Sequence, residues 1–232
     1  NINFLVMAYS HGTPNSIVTD GLVFAVDAAN LRSWTGPDSS TVNNLVGTST
    51  GTIFNDTSGS YGDNKSFAFD GVDDNINCGS ATTYNKFTLS AWVNKNSSAP
   101  NYAGIFGTRN GSAVAFPYLL SLGNSNKIRL IADGTSNILS DNAINNDTWY
   151  HVVGTGDGTD LKMYINGQLQ TATTSYSTPL LTTTNDLMIG AQWDTDTQYE
   201  WSGEISNVKL YDKGLSASEV LQNYRALKGR FE

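Results

Sequence analysis

The stretch from Thr148 to Gly167 constrains the fold more than any other part of the chain. Tyr150 and Val152 project to one side of an extended segment, and Leu161, Met163 and Ile165 repeat that alternation after a turn read over Gly154 to Gly158. Asn166-Gly167 then closes a tight two-residue turn, because both central positions need positive φ and these residue types adopt it at least cost. Gln168 to Gln170 folds straight back. Three consecutive antiparallel strands make a meander, the repeating unit of a sandwich or barrel.

The same period recurs along the chain. Residues 22–27, 66–70, 75–78, 87–94, 104–107, 118–122, 127–131, 187–190 and 203–211 read as strands separated by Gly, Asn and Ser turns. In 87–94, Phe87, Leu89, Ala91 and Val93 share one face while Thr88, Ser90 and Trp92 share the other, the pattern of a sheet buried on one side. Ile205 and Val208 differ by an odd number of positions, so both face inward only if a bulge falls near Ser206-Asn207. One helix is expected, over 216–227. Ser216 and Glu219 form a capping box, and Val220, Tyr224 and Leu227 share a face that packs on the sandwich edge.

With 232 residues and 22 glycines the chain suits one large all-β domain, residues 20–232, preceded by an arm, residues 1–19. Pro14 keeps the arm out of a central strand. Its apolar residues Ile2, Phe4, Leu5 and Val6 either add an edge strand to their own domain or reach a neighbouring subunit. A formal charge of −8 with 13 Lys and Arg argues against nucleic acid or an anionic membrane surface as partner. No apolar run approaches the roughly 20 residues of a membrane span, and the opening apolar run is too short and lacks the basic flank of a signal peptide. Cys78, the single cysteine, allows no intrachain disulfide and reads as a small core residue.

Asp20–Asn30, Phe69–Asp74, Phe87–Val93, Trp149–Gly167 and Gly203–Val220 together resemble the laminin G-like members of the concanavalin A-like lectin/glucanase superfamily. The resemblance covers about Asp20 to Arg230 and implies an all-β, two-sheet antiparallel jelly-roll sandwich with a short C-terminal helix. The ending Leu215–Tyr224 and the start Met7–Gly12 resemble versions carried by structural proteins of tailed bacteriophages. They imply a virion address, with other virion proteins or copies of the chain itself as partners.

Glucanases of this superfamily use carboxylates at alternate positions on one strand, roughly 6.5 Å apart, as nucleophile and acid. No strand here carries that pair. Asp73 and Asp74 are adjacent and point to opposite sides, so the chain is expected not to be an enzyme. Of the two histidines, His11 lies in the arm, and His151 shares a strand face with Trp149 and Val153 as a partly buried structural imidazole. The resemblance implies calcium at the sandwich rim, and Asp70, Asp73 and Asp74, or Asp194, Asp196 and Glu200, have the hard oxygens it prefers. Turn chemistry is the plainer reading of either cluster.

Sugar recognition combines a flat aromatic with planar polar groups. The loop with Trp193, Asp194, Asp196 and Tyr199 is the candidate, with Trp34 and Tyr102 as further aromatics. Trp92, Trp149 and Trp201 are read as packing residues. The expectation is a non-enzymatic virion structural or decoration protein attaching through its arm and sheet edges. The alternative is a carbohydrate-binding adhesin, calcium-dependent or not, that meets a cell-surface glycan on a phage fibre or a bacterial surface.

Overall fold

The computed structural model describes residues 16–55, 66–109, 116–182, 185–193 and 198–232. The arm residues Ile2, Phe4, Leu5 and Val6 and His11 lie outside them. Two antiparallel sheets face each other. Sheet I runs in spatial order Leu22–Val26, Ser202–Tyr211, Phe87–Lys95, Trp149–Gly156, Asp160–Ile165, Gln168–Leu169, with Phe67–Asp70 added to Ser202–Tyr211 and Thr174–Ser175 to Asp160–Ile165. Sheet II runs Ser136–Ala143, Lys127–Ala132, Tyr118–Leu122, Gly104–Thr108, Asp186–Ile189, Asn75–Ser80, Thr50–Phe54, Thr41–Asn43. Between them lie Phe87, Leu89, Ala91 and Val93 from sheet I and Ile105, Leu120, Ile128 and Leu130 from sheet II. This is the two-sheet antiparallel sandwich that the resemblance implies, one of the two architectures, sandwich or barrel, that the alternation allows.

The expected bulge is present. Ser206 pairs with Trp92 but Lys209 with Ser90, and Asn207 in between takes φ 49°. Asn166 and Gly167 take φ 50° and 77° in the two-residue turn, as a hairpin twisting with its strands requires. The preceding turn sits later than its glycines suggest. Gly154 and Gly156 are inside the strand, and the chain reverses where the Asp157 carboxylate accepts the Thr159 and Asp160 N–H groups at 3.0 and 2.9 Å. Those two glycines answer to packing instead. A Cβ at Gly154 would meet the Leu130 side chain at 2.6 Å, and one at Gly156 would meet the Phe87 ring at 2.5 Å.

Strands Thr41–Asn43, Thr50–Phe54 and Ser136–Ala143 carry no signal in the sequence. Thr41–Asn43 and Ser136–Ala143 are the two edges of sheet II, where few side chains are buried and apolar alternation fades.

Two expectations about sheet I are corrected. Helix Ala217–Leu227 opens with the predicted capping box on Ser216 and Glu219, yet it covers the outer face of the sheet rather than its edge. Val220 packs with Val153, Tyr164 and Tyr211 there. Beyond the helix, Phe231 stacks on Trp92 with centroids 4.2 Å apart. The Phe87–Lys95 strand is therefore buried on both faces. The two hydroxyls of its other face are paired inside: Thr88 Oγ1 donates to the Lys213 carbonyl at 2.7 Å, and Ser90 Oγ lies 3.0 Å from His151 Nε2.

His151 is fully buried, with the Trp92 and Tyr224 rings 5.2 and 6.1 Å away and themselves 5.7 Å apart, and burial followed by the nearby Lys209 charge pushes its pKa down to about 3. It is a neutral structural imidazole. Below it, the bulge lets Asn207 Nδ2 donate to Asp27 at 2.8 Å while accepting from the buried Lys209 ammonium. Arg230 pairs with Asp27 at 2.7 Å and donates to Ser206 Oγ at 2.5 Å.

Gly156→Ala is expected to cost about 1–3 kcal/mol in urea unfolding, since the Phe87 ring backs the position; an unchanged midpoint would show that the core yields there. The unfolded imidazole protonates near pH 6.5 and the buried one near 3, so the unfolded chain binds the extra proton in between. Wild type should lose stability relative to His151→Gln at up to about 1.4 kcal/mol per pH unit as pH falls through that window. Denaturation curves at about pH 7 and pH 4.5 check this, and an equal difference at both values would refute it.

Candidate functional site

The outer face of sheet II carries a cleft. Ile128, Leu130 and Ala132 belong to the inter-sheet core, so the alternate residues Arg129 and Ile131 point outward. Phe116 and Leu119 join Ile131 in a small apolar cluster there. Tyr102 and Arg109 flank the neighbouring Gly104–Thr108 strand, and Gln192, Trp193 and Tyr199 follow Asp186–Ile189. The Gly104 N–H donates to the Tyr199 carbonyl at 2.7 Å, tying that segment down. Tyr102, Arg109, Phe116, Arg129, Ile131, Gln192 and Tyr199 enclose about 240 Å³. That is less than the roughly 300–1,000 Å³ of an enclosing ligand pocket, so the cleft seats part of a ligand.

Aromatic rings and guanidinium groups interleave in this cleft. Tyr102 and Tyr199 meet edge to face at 6.2 Å, and Trp193 lies 6.0 Å from Tyr199. Arg109 Cζ sits 4.2 Å from the Trp193 ring centre and 4.7 Å from that of Phe116. Arg129 Cζ sits 4.9 Å from the Tyr102 ring centre. Gln192 is 1% exposed and fixes two of these groups, accepting from Arg109 Nη1 at 2.6 Å and donating to the Tyr102 carbonyl at 2.5 Å. Burial pushes the Arg129 guanidinium below its ordinary pKa; Tyr102 and Tyr199 oppose that shift and the Arg109 charge adds to it. Tyr102 takes φ 70°, a left-handed conformation costing a bulky residue on the order of 1 kcal/mol or more. Such strain persists where the surroundings hold a side chain in place.

Of the residues proposed from sequence, Trp193 and Tyr199 come together and Tyr102 joins them, while Asp194 and Asp196 lie outside the described residues. Trp34 is corrected to a core residue, 1% exposed with its ring 5.0 Å from Phe67. Trp92 and Trp201 are buried as expected. Arg109, Phe116, Arg129 and Gln192 carry no sequence signal of a shared site. The outward position of Arg129 is visible in the Lys127–Ile131 alternation, but its neighbours arrive from separate strands.

A second cluster lies on the rim. Ligand atoms of Asp70, Asp73 and Asp74 all fall within 4.8 Å of one another, and Asp70 is registered opposite Ser202. Asp70 Oδ1 accepts the Val72 N–H at 2.7 Å and Asp74 Oδ2 the Asp70 N–H at 2.8 Å, which is turn chemistry. Burial first, then the charges of Asp70 and Asp73, push Asp74 up to about 6 against the Asp70 N–H bond. Buried Asn75 Oδ1 beside them has no hydrogen-bond partner among the described residues. Crowded hard oxygens and an unmatched carbonyl fit a divalent cation such as Ca²⁺. The alternative set, Asp194, Asp196 and Glu200, is placed only at Glu200, which is 1% exposed.

Residues 70–221 match the family described as the Concanavalin A-like lectin/glucanases superfamily. The chain belongs to that superfamily. Trypanosoma rangeli sialidase in complex with sialic acid is similar to it at TM-score 0.70 and 16% identity, covering 93% of this chain and 34% of that one. Domain 4 of AbnA, a GH43 extracellular arabinanase from Geobacillus stearothermophilus in complex with arabinotriose, is similar at TM-score 0.61 and 18% identity, covering 88% of this chain and 98% of that one. A putative carbohydrate binding protein from Bacteroides ovatus is similar at TM-score 0.51 and 19% identity, covering 61% and 41%. No curated protein matches the chain.

The chain spans about a third of the length of the sialidase chains. These likenesses show the fold, and they correct the expectation that the chain is not an enzyme. The same sandwich occurs within sialidases. The missing carboxylate pair therefore excludes one glucanase arrangement and does not decide whether the superfamily member takes part in catalysis.

Proposed function

We propose that the chain is a carbohydrate-binding module that seats a saccharide in the cleft on sheet II. The observation that carries this reading is the partly exposed ring group Tyr102, Tyr199 and Trp193 beside the planar Arg129 guanidinium. Sugar C–H faces stack on flat aromatics, and sugar hydroxyls need planar donors and acceptors within reach. A larger groove of about 640 Å³ between Lys127, Ser136–Ala143 and residues 171–174 has no aromatic lining. Near-complete coverage of an arabinanase domain solved with arabinotriose supports the reading, as does the putative carbohydrate binding protein. Both support a glycan partner, and the extracellular arabinanase supports an extracellular or cell-surface setting. Among the described residues no helix is long and apolar enough to cross a membrane. Attachment to a virion through residues 1–19 stays an expectation of the sequence, since Ile2, Phe4, Leu5 and Val6 lie outside the described residues.

We also propose that Asp70, Asp73 and Asp74 hold Ca²⁺ and stiffen the rim next to Ser202. Saturating Ca²⁺ should raise the melting midpoint by several degrees, and Asp73→Asn should remove most of that gain. A midpoint indifferent to Ca²⁺ and chelator in the wild type would eliminate the metal.

For the cleft, calorimetric titration against a panel of neutral and acidic polysaccharides is the test. Trp193→Ala and Tyr199→Ala should each weaken the glycan that binds by about tenfold or more, equivalent to 1.4 kcal/mol. The melting midpoint should move by less than about 2–4 °C, the shift of 1 kcal/mol in a chain of this length. Undiminished affinity in both variants would place the saccharide elsewhere.

A further inference from the structure

The two guanidinium groups are unusual company for a neutral sugar. Arg129 stands in the middle of the Lys127–Ala132 strand, partly buried, opposite Ser121 in the ladder, with Tyr102 and Phe116 against it at 4.9 and 5.8 Å. Its Nε donates to Ser121 Oγ at 3.1 Å. A guanidinium has five N–H donors, and the remaining four of Arg129 have no protein acceptor among the described residues. Among those residues it pairs with no carboxylate either, and the cleft lining contains no acidic side chain. Arg109 approaches the same Phe116 ring at 4.7 Å, so two like charges share one aromatic wall. Burial disfavours the charged Arg129 and the nearby Arg109 charge adds to that, which an anion bound at Arg129 offsets. The buried Gln192 keeps Arg109 in that position, and the strained Tyr102 backbone keeps the ring under Arg129.

We infer that the cleft selects an acidic saccharide, its ring stacked on the Tyr102–Tyr199–Trp193 aromatics and its carboxylate or sulfate taken by the unused donors of Arg129. The planar guanidinium fork matches both anions in a bidentate geometry that ammonium groups do not offer. The net charge of −8 makes the chain as a whole repel a polyanion, so selectivity has to come from short-range contacts in the cleft. This inference rests on the carbohydrate-binding reading and narrows it to a ligand class.

Four probes distinguish the possibilities with the full chain: polygalacturonate, a sulfated dextran, unmodified neutral dextran, and polyglutamate as an anion without sugar. The expected result is binding to polygalacturonate or sulfated dextran at least tenfold tighter than to neutral dextran or polyglutamate. Which of the two binds identifies the anion. Arg129→Met should reduce the acidic-glycan affinity at least tenfold, and Arg129→Lys should restore only part of it. Neutral dextran bound as tightly as the acidic polymers would overturn the acidic selectivity and leave the carbohydrate reading standing. Polyglutamate bound equally would also overturn it, exposing a plain anion surface. Absence of binding to every polysaccharide, here and across the wider panel of neutral and acidic polymers, overturns both. Wild-type selectivity decides the matter even if the Arg129 variants fold poorly.

Discussion

The stack of Phe231 on Trp92 closes the structure. A sandwich leaves each sheet with one outer face, and in sheet I that face holds a fully buried tryptophan, histidine and lysine that water would otherwise have to solvate. The C-terminal helix and the residues after it cover them, and the cover is pinned by Arg230 on Asp27, from opposite ends of the described chain. Lys209 is the costly member of this layer. Burial holds its pKa down at about 8, and its partner is the Asn207 amide that the bulge turns inward. Removing one partner of such a buried polar set is expensive, whereas the intact set mainly fixes geometry. With sheet I sealed on both sides, the outer face of sheet II is left to carry the ring-and-guanidinium cleft.

Much of this was legible in the sequence where one local rule decides. The odd spacing of Ile205 and Val208 demands the bulge, Ser216 with Glu219 demands the helix start, and Asn166-Gly167 demands the turn. What the sequence hides is long-range. Gly154 and Gly156 look like loop residues because glycine usually marks turns, yet they sit in a strand where Leu130 and Phe87 arrive from elsewhere. The alternation in Phe87–Val93 specifies which residues face the other sheet, and cannot show that Thr88, Ser90 and Trp92 will be roofed by a segment more than a hundred residues later.

The cleft follows the same rule. Trp193 and Tyr199 announce themselves as aromatics in a polar loop, and their proximity is local. Arg109 follows the Gly104–Thr108 strand and Arg129 sits in Lys127–Ala132, two strands separated in space by Tyr118–Leu122, and only the sheet order brings them to one wall. A residue-type search for acid–base pairs likewise tests one catalytic geometry at a time, which is why the missing glucanase carboxylates said less about enzymatic membership than the alternation said about fold.

The roof over sheet I has a practical side. Alternation puts Trp92 and Arg129 on opposite outer surfaces of the sandwich, so the residues around Phe231 lie across the thickness of the molecule from the cleft. Anything tethered at that end, a support, a label or a further stretch of polypeptide, leaves the aromatic wall facing outward and unobstructed.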